Sequence, residues 1–178
     1  MTFREKLQAN KFVITSEIGP PKGIEIARIL DGAERIRQKV DAINVTDLQS
    51  SVMRLGSLSV SALLKQRGIE PIFQLTCRDR NRLALQSDLL SAAVLGIENV
   101  LILTGDHPAL GDHPEAKPVF DLDSVQLLQA ARGLSRGVDM KGNKLEGASP
   151  EFFLGSVVNP GAVPLAPQIM KMEKKIEA

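Results

Sequence analysis

Asn99-Val100-Leu101-Ile102-Leu103-Thr104-Gly105-Asp106 is the stretch on which the fold turns. Its apolar run shows no polar alternation, which marks a strand buried on both faces, the habit of parallel sheets. Helical spacing over 81–95 precedes it and stops at Gly96. The same unit recurs outward in both directions. Strands are predicted at 12–18, 42–47, 71–77 and 152–158, and helices over 24–39, 56–67, 123–132 and 165–177. In the first of these helices Ile26, Ile29, Leu30, Ala33 and Ile36 fall on one face. Gly19-Pro20-Pro21-Lys22-Gly23 breaks the chain after the first strand, and Gly68 is placed to end the 56–67 helix. Alternation of this kind predicts an α/β fold of βα units around a parallel sheet.

One segment breaks the rhythm. Residues 133–147 are rich in Gly, Arg, Lys and Asp and read as a surface excursion, with a hairpin around Lys141-Gly142-Asn143. No internal boundary divides the chain, so 1–178 reads as a single domain. Five βα units fit an open doubly wound sheet. They also fit a (βα)8 barrel cut short, since a full barrel needs at least about 200 residues. Periodicity does not choose between them. Both place function at the C-terminal ends of the strands.

Composition narrows the classes. The 178 residues carry 22 Lys+Arg against 21 Asp+Glu, a net charge of +1, which argues against a nucleic-acid binder. No apolar run approaches the roughly 20 residues that span a bilayer. The N-terminus lacks the apolar core of a signal peptide. The single cysteine, Cys77, excludes an internal disulfide and a cysteine zinc cluster. A cytoplasmic protein is expected. Aromatic content is only 3%, with no Trp or Tyr.

The strand ends are polar. Glu17 closes the first, and a carboxylate there is costly unless paired or used. Burial would favour its neutral form and suit it to general-acid work near neutral pH; an ion-paired structural glutamate is the plain alternative. Thr46-Asp47, Gln74 to Arg80, and Thr104-Gly105-Asp106-His107 close the next three. Gly105 lets backbone approach a ligand beside Asp106, whose plain alternative is a cap or turn residue. His107 and His113 read as solvated loop residues, because their spacing fits no metal motif. Cys77 reads as a small buried hydrophobe. Neither Gly-x-Gly-x-x-Gly nor a Walker Gly-Lys-Ser/Thr is present, which disfavours a Rossmann site and a P-loop. Lys171, Lys174 and Lys175 share a helix face that is either solvated or a phosphate contact.

Taken in order, Ser16-Glu17-Ile18-Gly19-Pro20-Pro21-Lys22, Asn44-Val45-Thr46-Asp47, Gln74 to Arg82, Gly96 to Pro108, Asn159-Pro160 and Lys174 to Ala178 resemble the methylenetetrahydrofolate reductase family. The resemblance implies a (βα)8 TIM-type barrel, of which this chain supplies about the first five βα units. It implies a flavin bound without a Rossmann motif, usually FAD, with FMN the alternative. The implied reaction reduces 5,10-methylenetetrahydrofolate to 5-methyltetrahydrofolate by hydride transfer, with electrons from NAD(P)H or a partner electron-donor subunit.

By the same resemblance Glu17 is the general acid that protonates N10. Asp106 lies near flavin and pterin, stabilising the cation and biasing the flavin towards its oxidised form. Gln74 is a substrate-binding position. Thr46, Thr104, Asn159, Gln168, Lys171 and Lys175 are flavin-contacting positions, the lysines pairing with phosphates. Gln74 stands where many members carry His, and Thr104 where many carry Arg. The absence of Tyr removes the usual aromatic flavin neighbours. The family continues into a sixth strand bearing Thr-Gln that is not present here, so an incomplete barrel and an inactive isolated fragment are expected. An oligomer is also expected. The alternatives are a non-catalytic flavin- or folate-binding subunit and a complete open-sheet enzyme.

Overall fold

The computed structural model describes residues 1–178. Helix α1 (Phe3–Gln8) precedes strand β1 (Thr15–Ile18). Then come α2 (Ala27–Ile36), β2 (Ala42–Val45), α3 (Ser57–Gln66), β3 (Pro71–Thr76), α4 (Arg82–Val94), β4 (Asn99–Leu103), α5 (Ser124–Ser135), β5 (Phe153–Ser156) and α6 (Ala166–Glu177). Local chemistry sets the boundaries. Asn81 accepts from the Leu83 and Ala84 amides and starts α4. Asp123 and Gln126 form a capping box at α5. Gly68 and Gly96, at φ 68° and 75°, end α3 and α4 in the left-handed region.

The five strands are all parallel and stand in the order β1-β2-β3-β4-β5. A doubly wound sheet reverses its strand order at a switch point; this sheet never does. Helices α2 to α5 also lie on one side only. Ile43 and Val45 pack with Leu30 and Ala33 of α2 and Val60 and Leu64 of α3. Phe73, Leu75, Val100 and Ile102 pack with Leu85 and Leu89 of α4 and Leu127 and Leu134 of α5. By the strand register these side chains share one face, and Glu17, Asn44, Gln74, Thr76, Leu101 and Leu103 share the other.

That arrangement corrects the expectation of strands buried on both faces throughout. β3 is buried along its whole length, but β1 alternates between exposed and half-buried and β5 is half-buried. Each of these outer strands has one neighbour only. β1 also starts at Thr15 rather than 12: Phe12 is 87% exposed, and the Ile14 amide is taken by the Asp41 carboxylate.

Two further differences concern the periphery. α1 was not anticipated, although Thr2 and Glu5 spell a capping box. It ties opposite parts of the sheet: Lys6 pairs with Asp41 before β2, while Phe3 meets Phe153 of β5 edge-on with ring centroids 6.1 Å apart. The 133–147 excursion begins later than expected because α5 runs on to Ser135. Its hairpin is a single bridge, Val138 to Lys144, closed by Asp139, which accepts from the Lys141 and Asn143 amides. Met140 and Leu145 pack on the core, so the segment is not wholly superficial.

Candidate functional site

A cleft of about 330 Å³ opens at the C-terminal ends of β2 to β5. Gln74 and Thr76 project into it from β3, Asp47 stands beyond β2, and Thr104 and Asp106 follow β4. Asn159 follows β5, and Gln168, Lys171 and Lys175 close it from α6. Their spacing of i, i+3 and i+7 puts these three on one helix face. Of the residues singled out from sequence, Gln74, Thr104, Asp106, Asn159, Gln168, Lys171 and Lys175 therefore meet in one place. Two do not. Thr46 is buried outside the cleft lining, its hydroxyl donating to the Ile18 carbonyl at the end of β1 at 3.4 Å. Glu17 is exposed on the uncovered face of β1. The expected burial of Glu17 is not realised, because edge strand β1 has nothing packed on that face beyond β2.

The rim is built around Asp47. Its side chain is 0% exposed and accepts from the Thr76 amide at 3.0 Å, the Thr76 hydroxyl at 2.8 Å and Arg80 Nη1 at 2.7 Å. Arg80 also reaches Asp88 at 2.8 Å. A buried carboxylate is tolerable only when its lone pairs are taken up in this way. Arg78, 2% exposed, pairs through Nε with Asp79. Its two Nη atoms donate to the carbonyls of Leu48 and Asp106, at 3.3 and 3.4 Å. Arg78 thus pins the loop after β2 to the loop after β4. Sequence reading placed both residues among the polar strand ends but gave them no role. The alternation Arg78-Asp79-Arg80, directly after a strand as apolar as β3, was the available signal.

The two loops are under backbone constraint. Leu48, Ser50 and Ser51 all have positive φ (47°, 56° and 59°). Non-glycine residues in that region persist only where surroundings hold them. Gly105, at φ 91°, packs so closely that a Cβ would stand 3.1 Å from the Cβ atoms of both Thr76 and Arg78. Asp106 is thereby held at the mouth with its side chain exposed. It caps nothing: the short 3₁₀ turn Pro108–Leu110 is capped by His107, whose Nδ1 accepts from the Ala109 amide. His113 hydrogen-bonds Asp112, and both histidines are exposed.

Electrostatically the α6 side is cationic. Lys175 donates to the Val157 carbonyl at 2.6 Å. Partial burial, and then the neighbouring Lys171, hold its ammonium below the usual lysine range. Two ammonium groups in a cleft without a paired carboxylate suit an anion. Thr104 donates to the Ser124 hydroxyl at 3.2 Å, which fixes its rotamer at the same wall. Cys77 lies behind this surface, fully buried. Burial, helped by Asp123, pushes its thiol up to about 12, so it is an inert hydrophobe at neutral pH. No helix is long and apolar enough to cross a membrane.

A search of curated proteins finds no match to the chain. The family model for methylenetetrahydrofolate reductase matches residues 2–140, a span that holds β1 to β4 and the loops carrying Asp47, Arg78 and Asp106. The chain therefore belongs to the methylenetetrahydrofolate reductase family, oxidoreductases that act on folate.

Proposed function

We propose that the chain forms part of a flavin-dependent reductase that converts 5,10-methylenetetrahydrofolate to 5-methyltetrahydrofolate. The observation that carries this reading is the meeting of Gln74, Thr104, Asp106, Asn159, Gln168, Lys171 and Lys175 around one cleft. The donor set fits a flavin: Lys171 and Lys175 for phosphate oxygens, Thr104, Asn159 and Gln168 for neutral polar edges, and Asp106 at the mouth. Bound flavin, FAD or FMN, would supply the hydride.

On this reading the residues divide the work. Glu17 delivers a proton to N10 of the folate, and the methylene–N10 bond breaks with its electron pair going to N10. The iminium left at N5 then accepts the hydride. The Asp106 carboxylate offsets the positive charge that develops there. Gln74, with its side chain directed to the cleft, orients the pterin by hydrogen bonding. Arg78 and the Asp47–Arg80 pair keep the loops in place. Residues 1–178 form one domain and one arc of a (βα)8 barrel wall, supported by the unreversed strand order and the one-sided helices. NAD(P)H or an electron-donor subunit supplies the electrons, in the cytoplasm.

The purified protein is expected to be yellow, with a flavin absorption spectrum. Lys171→Ala and Lys175→Ala should each raise the flavin Kd about tenfold in a fluorescence titration, the loss of one charge-assisted contact. Unchanged affinity in both variants would remove the cleft as the phosphate site. Asp106→Asn is expected to raise the flavin reduction potential, because a negative charge no longer opposes reduction. It should also slow folate reduction roughly 10²-fold. A spectroelectrochemical titration giving the wild-type potential, together with unaltered turnover, would reject the role of Asp106.

A further inference from the structure

Four buried side-chain polar atoms lack a hydrogen-bond partner, and only one of them is on a strand: Asn44 Oδ1 in β2. The hydroxyls of Ser61 and Ser135 sit on helices, where a carbonyl one turn back is within reach. Arg54 keeps another of its nitrogens on the Pro20 carbonyl at 3.2 Å. Asn44 has no such outlet, and a buried amide oxygen left unpaired costs stability.

Asn44 stands in register with Glu17. The next residues along, Ile18 and Val45, both pack into the cluster beneath α2 and α3. Glu17 and Asn44 therefore share the uncovered face, with Cβ atoms about 5 Å apart, as for lateral neighbours in a ladder. A carboxyl and an amide at that separation can hydrogen-bond. Glu17 is also the only titratable side chain on that face of the five strands. Past the C-terminal strand ends the charged groups are Arg54, Lys22 paired with Asp112, Asp47 paired with Arg80, Arg78 paired with Asp79, and the cleft residues Asp106, Lys171 and Lys175. At the N-terminal ends are Arg4 over the Phe153 ring, Lys6 paired with Asp41, Lys65 paired with Glu70 before β3, and Glu98 before β4. α2 lies on the opposite face.

We propose that Asn44 is a positioning residue for the proton of Glu17. The protonated carboxyl donates its O–H to Asn44 Oδ1, which aims the acid and favours its neutral form. After the proton has gone to N10, the amide turns and Nδ2 donates to the carboxylate. This inference rests on the reading of Glu17 as the proton donor.

The test is Asn44→Val in the native protein loaded with flavin. Removing the orphaned polar group should raise the melting midpoint by about 2–4 °C. Folate-dependent reoxidation of the flavin should slow about tenfold in kcat with little change in KM. The pH above which that rate falls off should move lower, while flavin affinity stays as in the wild type. A purely structural asparagine would not move the pH profile. If Asn44→Val does not fold, Asn44→Ala is read in the same way. An unaltered rate and pH profile, with Glu17→Gln inactive, would overturn the role of Asn44 and leave Glu17 standing. A fully active Glu17→Gln would overturn the reading beneath it.

Discussion

Replacing Glu17 by glutamine is expected to slow folate reduction about 10²–10⁴-fold, the usual contribution of a positioned general acid. The side chain keeps its shape and loses only the transferable proton. Two half-reactions separate the effect. Reduction of the flavin by its donor needs no proton at N10 and should proceed at the wild-type rate. Reoxidation by methylenetetrahydrofolate, followed by stopped-flow absorbance, should be almost abolished. Full folate turnover in the variant would show that another group supplies the proton. Glu17 is exposed on an edge strand, so on this reading it is bound folate that covers the acid in the reacting complex.

Asp47→Ala is expected to destabilise the chain by about 3–5 kcal/mol, the range for breaking a buried ion pair from one side. The variant leaves Arg80, 19% exposed, with Asp88 as its remaining strong partner, and it strips the Thr76 amide and hydroxyl of their acceptor. Asp47→Asn should cost less, since an amide oxygen can still accept from Thr76. The difference is read as a lower urea midpoint at unchanged m-value. A midpoint within error of the wild type in Asp47→Ala would mean that the rim does not depend on this carboxylate.

The sequence disclosed much of this architecture, for identifiable reasons. Strand cores such as Val100 to Leu103, and helix stops such as Gly96, are set by local chemistry, and the structure reproduces them within a few residues. Strand order was not legible, because periodicity carries no information about which strand lies beside which. The one-sided helix layer was hidden for the same reason, and with it the exposure of Glu17. An apolar run reads alike in a central strand and at an edge. The resemblance named Gln74, Thr104, Asp106, Asn159 and the α6 residues of the cleft. It missed Arg78, whose importance lies in two backbone carbonyls, Leu48 and Asp106, that no side-chain pattern announces. Asp47 was visible as a polar strand end, but its burial depends on Arg80 and Thr76 folding back over it.

The docking of α1 has a consequence for the order of assembly. Every strand pairing joins consecutive strands, so the sheet can grow one βα unit at a time with short loop closures. The contact of Phe3 with Phe153 is different in kind, since it joins the first helix to the last strand. On the ribosome α1 emerges before any of the five strands, yet it has no seat until β5 has been made. A segment synthesised ahead of the five strands is thus locked after them, and it serves as a latch on this arc rather than as a nucleus for it.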